Sequence, residues 1–430
     1  MSGSWMTGGI HLSPQPLAHA LSIALLISTG CSRADGPGER SGGGEGSAGD
    51  KDDPASYLYV WAADDDGSES DFVAVIDVRR DSPTYAEVIT TLAVGFGGRA
   101  HHTEHVMPEG GILLANAFDA GLTFLIDFND PEAPSMAGYF AEAGEYHHPH
   151  SFERLANGNI LATFQRRSRP GDGSVETGGL VELDPSGVPI RSGSAAVPEL
   201  DPTIRPYSLC TVPGLDRVVT TSTDMAGVLN PAVQVWRLSD LSLRSTVVLE
   251  PGALGSEHLG TAEPRLMADG RTVLVSTFSC GLYKLDGLEE EPTAELVYAF
   301  PQREGTYCAL PVVTERFWIH TVPAEHALVT LDITDPSRPV EVARLTLEPD
   351  DVPHWISLEP GGGRIVITGY AGLAGRVLLA RLDHETGELK LEESFREPLA
   401  GRPGVDLRRA SWPHGDTGPA APHGAVFSRN

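Results

Sequence analysis

Cysteine is scarce in this sequence, with four residues in a chain of 430. Cys31 belongs to an N-terminal segment that resembles an export signal, which leaves Cys210, Cys280 and Cys308 for the remainder of the chain. None of these three has the C-x-x-C spacing of a thiolate zinc site. The cysteine content therefore excludes such a site and leaves room for at most one internal disulfide.

Basic residues are also few. The chain has 31 Lys and Arg against 59 Asp and Glu, for a formal net charge of −28, and no basic cluster occurs. Binding to nucleic acid requires Lys and Arg to neutralise phosphates, so we do not expect a nucleic-acid partner. The acidity itself indicates solubility and repulsion of anions, and it indicates nothing about the fold.

Long apolar runs are missing as well. The run at Leu21–Ile27 is too short to cross a bilayer as a helix. It ends in Ser28-Thr29-Gly30-Cys31, which resembles a bacterial lipoprotein signal whose cysteine is lipidated. Ser28 replaces the usual Leu and no Lys or Arg precedes the run, so an ordinary secretory signal is the alternative.

The segment after the signal, residues 32–54, is rich in Gly, Ser, Asp and Glu and has little to bury. Such a composition cannot repay the entropy of ordering, so it predicts a flexible tether. Residues 1–31 and 32–54 together predict an exported protein in the periplasm, lipid-anchored at Cys31. The lipid anchor is the only contact with a membrane that we expect.

Strand-like segments recur in pairs along the rest of the chain, and each is rich in β-branched and aromatic residues. The first strands of the seven pairs are Leu58–Ala62, Ile112–Ala117, Ile160–Phe164, Val218–Ser222, Val273–Phe278, Phe317–Val322 and Ile365–Tyr370. Their partners are Phe72–Val78, Leu122–Phe128, Gly179–Asp184, Val233–Leu238, Gly281–Asp286, Ala327–Ile333 and Val377–Asp383. No long segment shows helical periodicity.

Seven all-β repeats predict a seven-bladed β-propeller over residues 55–430. Each blade adds an inner strand and an outer strand, such as Glu87–Val94 or Val340–Leu347, to the pair. The first repeat has no inner strand before Leu58, so we expect the C-terminal segment Ala421–Ser428 to supply it and close the ring. A β-sandwich with additional domains is the alternative fold.

Histidines recur at one position of this repeat, near the start of the inner strands. Eight of the fifteen do so: His101, His102, His105, His147, His148, His150, His354 and His423. Imidazoles that converge on a propeller axis suit copper or zinc. Because neighbouring strand residues point to opposite faces, His148 is expected to point away from the axis. The predicted ligands are the other seven.

Two glutamates are predicted near the same face of the channel. Glu104 lies between His102 and His105, and Glu263 begins the inner strand of the fifth blade. Either could accept a proton or orient an imidazole. The alternative is a carboxylate paired with arginine, and Arg265 lies two positions beyond Glu263 on the same side of a strand.

Four runs of sequence resemble the selenium-binding protein/methanethiol oxidase family, and the chain is identified as a bacterial, lipoprotein-like member. They are LYVWAADDDGSESDFVAVIDV, HHTEHVMPEGGILLANAF, HHPHSFERLANGNILATF and PHGAVFSR. The resemblance extends over most of Tyr57–Phe427 and is clearest in Tyr57–Gln165. It implies a seven-bladed propeller. Oxidase members of the family use copper to convert methanethiol, oxygen and water to formaldehyde, hydrogen sulfide and hydrogen peroxide.

The resemblance also implies site residues. Its motifs correspond to His101 and His102 for the HH pair, His147 and His150 for H-x-x-H, His423 near the C-terminus, and Glu263 in blade five. The cysteine-containing stretch that follows the HH pair in animal members is replaced here by Glu104–Met107, so selenium ligation by cysteine is not expected.

Three functions follow from these observations. The first is copper-dependent oxidation of a small thiol by oxygen, with zinc as the alternative metal. The second is a non-catalytic protein that binds a metal or a selenium species, which needs no proton acceptor. The third, a metal-dependent lactonase, ranks last because such propeller sites centre on carboxylate and Asn ligands with calcium.

Overall fold

The computed structural model of the protein describes residues 55–168, 175–198, 204–225, 227–301, 307–370 and 375–429. These residues lie within one compact unit. The predicted signal at residues 1–31, with Cys31, and the predicted tether at residues 32–54 lie outside the described residues.

Thirty strands make up the described part of the chain. Those of the first half are β1 Tyr57–Asp64, β2 Phe72–Asp77, β3 Val88–Ala93, β4 Ala100–Thr103, β5 Ile112–Ala117, β6 Leu122–Asp127, β7 Ser135–Phe140, β8 Glu142–Ala143, β9 Tyr146–Arg154, β10 Ile160–Ser168, β11 Val175–Leu183, β12 Pro189–Ser194, β13 Pro206–Val212, β14 Arg217–Asp224, β15 Val228–Arg237 and β16 Leu243–Val248. Those of the second half are β17 Thr261–Leu266, β18 Val273–Thr277, β19 Gly281–Asp286, β20 Thr293–Ala299, β21 Pro311–Val313, β22 Phe317–Val322, β23 Ala327–Asp332, β24 Val340–Thr346, β25 Trp355–Leu358, β26 Arg364–Thr368, β27 Arg376–Leu382, β28 Leu389–Leu391, β29 Val405–Asp406 and β30 Ala420–Phe427.

These strands form seven small antiparallel sheets, each with a four-strand path from an inner to an outer strand. The inner strands, in blade order, are β30, β4, β9, β13, β17, β21 and β25. β8 adds a fifth strand beside β9, and β29 pairs with β27. The predicted seven-bladed β-propeller is confirmed.

Helix is confined to two single turns of 3₁₀-helix in the described residues, Pro213–Leu215 and Pro323–Glu325. Each begins with proline, whose fixed φ suits the first helical position. No helix in the described part is long and apolar enough to cross a membrane.

Burial falls from the inner to the outer strand of a blade, and the sequence shows why. Middle strands such as β2 are apolar at nearly every position and buried on both faces. Outer strands such as β7 and β24 alternate between exposed and half-buried residues, as expected when one face meets solvent. The core consists of apolar clusters packed between neighbouring blades.

The C-terminal strand closes the ring, as the sequence predicts. β30 pairs antiparallel with β1, with Leu58 opposite Phe427 and Val60 opposite Ala425. The sheet order β3-β2-β1-β30 therefore joins both ends of the propeller in one blade. β1 is therefore paired on both sides, by β2 and by β30.

The cysteines follow the predicted limit of one internal disulfide. Cys280 and Cys308 are bonded, and they connect a turn of the fifth blade to the segment before β21. Cys210 is a free, buried thiol on β13.

Candidate metal centre

The inner strands carry five histidines to one place at the axis of the propeller. His101 and His102 lie on β4, His150 on β9 and His423 on β30, while His354 directly precedes β25. All five are buried. Four blades therefore contribute to one cluster, hereafter the axial cluster.

Two overlapping groups of three imidazoles lie within metal-binding reach. One is His101, His102 and His150, and the other is His102, His354 and His423. In each group the three ligand nitrogens lie within 4.8 Å of one another, and His102 belongs to both. The axial cluster could therefore hold a metal ion.

The buried nitrogens of the cluster lack partners, which a metal would satisfy. His101 Nδ1, His102 Nε2, His150 Nε2 and His354 Nδ1 have no hydrogen-bond partner among the described residues, and His423 is also under-satisfied. Buried polar groups without partners are rare in folded proteins, because each costs free energy. The five imidazoles thus fit a borderline metal ion such as copper or zinc.

Burial keeps the cluster uncharged and ready to bind a cation. It lowers the pKa of His150 to about 3 and that of His354 to about 4. Burial, followed by the charges of neighbouring histidines, holds the pKa of His101, His102 and His423 well below the usual range. Neutral imidazole is the form that ligates metals, so no proton need be displaced near neutral pH.

The tautomer of His150 is fixed by a neighbouring blade. Its Nδ1 lies 2.8 Å from the Tyr207 carbonyl oxygen. A carbonyl only accepts hydrogen bonds, so Nδ1 carries the proton and Nε2 presents its lone pair to the axis. Asn116 holds the strands in place, since its Oδ1 accepts from the His102 amide and its Nδ2 donates to the His150 carbonyl.

Aromatic rings surround the cluster, and no motif in the sequence marks them as part of a site. Tyr207 packs on His150 with 3.9 Å between ring centroids, and Tyr370 lies 4.8 Å from His423. Trp355 lies 5.0 Å from His102. Tyr207 follows from the register of the repeats, because it begins the fourth inner strand where histidines begin others.

Two of the seven predicted ligands lie apart from the cluster. His105 stacks on Trp355 at 4.5 Å and accepts a hydrogen bond from Arg265 Nη2 at its Nε2. His147 is partly exposed and bonds Ser168 Oγ at 2.9 Å. The structure therefore brings five of the seven predicted ligands together and places His105 and His147 apart from them.

Local backbone geometry explains both differences. β4 has a register shift between residues 100 and 103, and β9 has one opposite residues 162 and 164 of β10, so simple alternation fails there. His148 adopts a positive φ of 58° and packs on Phe118.

The two predicted proton acceptors are both paired with arginine. Glu104 accepts from Arg154 Nε at 2.7 Å and from the Leu114 amide at 2.9 Å. Burial raises the pKa of Glu104 despite this pairing. Both oxygens of the Glu104 carboxylate are therefore engaged in hydrogen bonds to residues of β5 and β9.

Glu263 differs because one of its oxygens is free. Its Oε2 accepts from Arg265 Nη1 at 2.6 Å and from Ser208 Oγ at 2.7 Å. Its Oε1 is buried with no partner among the described residues. Ser208 directly follows Tyr207, and burial together with the negative charge of Glu263 raises the pKa of Tyr207 well above its usual range.

Comparison with known proteins gives one match in sequence. A methanethiol oxidase from Hyphomicrobium is 33% identical over 148 residues, covering 32% of this chain and 33% of that protein. The matched region thus spans about a third of that relative's length. No family profile matches the chain.

Solved structures match over most of the chain. A hypothetical selenium-binding protein from Sulfolobus tokodaii superposes with a TM-score of 0.69 at 15% identity, covering 88% of this chain and 94% of that one. A periplasmic gluconolactonase from Pseudomonas aeruginosa gives 0.59 at 14% identity, covering 87% and 99%. At these identities the structures show the fold alone.

Fold and site together define a seven-bladed β-propeller with a buried histidine cluster on its axis. The match in sequence points to one family among the proteins with this fold. The match to a methanethiol oxidase and the fold shared with a selenium-binding protein both support the resemblance to the selenium-binding protein/methanethiol oxidase family that the histidine motifs indicate.

Proposed function

We propose that the protein is a copper-dependent oxidoreductase that oxidises a small thiol at the axial cluster. The proposed reaction converts methanethiol, oxygen and water to formaldehyde, hydrogen sulfide and hydrogen peroxide. The observation that carries the proposal is the set of five buried, uncharged imidazoles with unpartnered nitrogens. The similarity to a methanethiol oxidase supports the choice of substrate.

The residues of the cluster would hold the ion through His102 and its neighbours in the two groups of three. Copper, when bound there, would supply redox chemistry and a soft partner for thiolate sulfur. The surrounding Tyr207, Tyr370 and Trp355 rings exclude water from the cluster, which strengthens electrostatic interactions inside it.

Glu263 is the better placed of the two candidates for accepting the thiol or C–H proton. Its Oε1 is buried and unpartnered, whereas both oxygens of Glu104 are bonded. Arg265 and Ser208 fix the Glu263 carboxylate through Oε2 and leave Oε1 available. We therefore assign proton transfer to Glu263 and a structural pairing to Glu104.

The test is turnover of methanethiol by copper-loaded protein, followed by oxygen uptake and sulfide release. We expect both signals from the loaded protein and neither from protein treated with a chelator. Loss of oxygen uptake in His102→Ala would accompany loss of the metal. Loaded protein that shows neither oxygen uptake nor sulfide release would contradict the proposed activity.

The second candidate is a protein that binds a metal or a selenium species without turnover. The arginine pairing of both glutamates favours it, because each carboxylate is already engaged in an ion pair. Glu263→Gln separates the two functions, with Glu104→Gln as the matched variant. An enzyme loses its rate in Glu263→Gln while it keeps its metal, whereas a binding protein shows no rate to lose.

We also propose export to the periplasm with a lipid anchor at Cys31. The signal-like segment before Cys31 supports this, and so does the disulfide between Cys280 and Cys308, since disulfides persist in oxidising compartments. Mass spectrometry of the mature N-terminus tests the anchor. A diacylated Cys31 is expected, and an unmodified N-terminus would overturn the assignment.

A further inference from the structure

A cavity lies at the ends of the inner strands that are opposite the axial cluster. Its volume is about 670 Å³, and its lining comes from residues of β17, β21 and β25 and from those just beyond the ends of these strands and of β4. The wall is mostly apolar and includes Leu266, Met267, Val312, Val313 and Leu358. Cavities of this size with few polar groups are typical of small-molecule sites.

This cavity is separate from the axial cluster. Trp355 is fully buried and lies between the two, with His102 at 5.0 Å on one side and His105 stacked at 4.5 Å on the other. His105 lines the cavity, whereas His102 does not. A ligand in the cavity would therefore meet none of the proposed metal ligands.

Arg265 supplies the positive charge of the cavity. It is the only Lys or Arg among the described residues that line it. Its Nη1 donates to Glu263 and to the Pro264 carbonyl, and its Nη2 donates to His105. A guanidinium has five N–H groups, so these contacts leave two for a ligand, Nε–H among them.

The arginine is held rigidly at the cavity wall. Glu263 on one side and His105 on the other fix its plane through contacts of 2.6 and 3.1 Å. Its side chain is 19% exposed. A guanidinium oriented in advance loses little entropy when it binds a carboxylate.

The acidic residues nearby do not cancel this donor. Glu359 has its carboxylate bonded to Arg364 through both oxygens, and Glu315 is exposed at the rim. The net charge of −28 repels anions at long range, but screening limits that repulsion to roughly 8 Å at physiological salt. The local donors therefore decide what binds.

We propose that this cavity binds a small organic acid, with its carboxylate on Arg265 and its hydrocarbon body against the apolar wall. The carboxylate matches the unused guanidinium N–H groups through charge-assisted hydrogen bonds. The hydrocarbon gains from burial against Met267, Val312 and Leu358. The site shares no metal ligand with the axial cluster, and its link to the proposed oxidation is the contact of Arg265 with Glu263.

The test uses three probes of one shape: cyclohexanecarboxylate, cyclohexanecarboxamide and cyclohexylmethylammonium. Full-length protein labelled with ¹³C at the methionine methyl groups reports where each binds. We expect the Met267 methyl signal to shift saturably with the carboxylate, while Met136, on an outer strand of the second blade, does not. The amide should bind roughly tenfold more weakly and the ammonium not at all.

Two variants assign the binding to the guanidinium. Arg265→Gln should weaken carboxylate binding by roughly tenfold or more, and Arg265→Lys, which keeps the charge, by less. Arg271→Met removes an exposed arginine elsewhere on the same blade and should leave binding unchanged. The proposal is overturned if Met267 does not respond in the unmodified protein, or if the ammonium binds as tightly as the carboxylate.

Discussion

A single proton decides what His150 can do at the axis. The Tyr207 carbonyl takes the hydrogen on Nδ1, so Nε2 faces the other imidazoles without a partner. Such an atom destabilises the metal-free protein and stabilises the metal-bound one. Ligand function and folding stability are therefore opposed at this residue.

His150→Phe tests that opposition. Phenylalanine retains the ring packing on Tyr207 but removes both nitrogens. We expect metal affinity to fall by more than the roughly 10–100-fold that loss of an orienting partner costs. The unfolding temperature of the metal-free protein should stay equal or rise, because a buried unpaired nitrogen is gone. Chelator competition and thermal unfolding measure the two effects, and a fall in both quantities would contradict the assignment.

His105, in contrast to His150, is not expected to bind the metal. Its Nε2 is occupied by Arg265, and its ring covers Trp355 with an interplanar angle of 4°. We expect His105→Phe to keep the stacking and the bound metal at full stoichiometry. Elemental analysis beside His102→Phe, which should lose metal, makes the comparison. Equal loss in both variants would return His105 to the ligand set.

At the scale of the element, Gly424 on β30 controls how close the closing strand comes to β4. A Cβ there would lie 2.8 Å from the Thr103 amide nitrogen and 3.0 Å from the His101 carbonyl oxygen. Both contacts are to backbone atoms, which cannot rotate away as the end of a flexible side chain can. The strand that fastens the ring therefore also positions the residues that flank His101 and His102.

Gly424→Ala should displace β4 from β30. We expect a loss of about 1–3 kcal/mol in stability, as for other overpacked sites, with weaker metal binding because His101 and His102 move relative to His423. Gly401→Ala is the control, since a Cβ there meets nothing within 4 Å. Denaturant unfolding and metal titration check both variants. An unchanged metal affinity in Gly424→Ala would show that β4 has freedom to adjust.

Sequence periodicity predicts the elements well and their irregularities poorly. The seven strand pairs, the inner strand from the C-terminus and His102, His150, His354 and His423 at one axis all follow from alternation and repeat register. His147 lies off the axis because β9 has a register shift opposite Ala162 and Phe164 of β10, beyond which the polar Arg166 pairs with His147. A polar strand end carries no periodic signal, so this shift could not be predicted.

On the scale of the whole molecule, the axial cluster makes folding depend on pH. Buried histidines are neutral in the folded state, whereas in the unfolded chain they protonate below about pH 6.5. The pKa falls to about 3 for His150 and about 4 for His354. His101, His102 and His423 shift in the same direction. Below pH 6.5 the unfolded chain therefore binds more protons, so stability is lost as the pH falls.

Three buried carboxylates oppose this trend, because burial raises the pKa of Asp71, Glu104 and Glu153. Burial raises the pKa of Asp71 to about 6, so the folded state binds its proton more tightly between about pH 4 and 6. Each fully shifted group contributes about 1.4 kcal/mol per pH unit. The five histidines of the axial cluster, joined by the buried His105 and His320, outnumber the three carboxylates, so the net effect follows the histidines.

We therefore expect the metal-free protein to lose stability steeply between about pH 6.5 and 4. Thermal unfolding at several pH values, in the presence of a chelator, measures the slope. His150→Phe removes one of the contributing imidazoles, so its slope should be shallower by about 1.4 kcal/mol per pH unit. His147→Gln, at a half-exposed histidine outside the cluster, is the matched control and should leave most of the slope in place. A flat profile between pH 6.5 and 4 would mean that the axial imidazoles are not held neutral together, and the case for a preformed cation site on the propeller axis would fail with it.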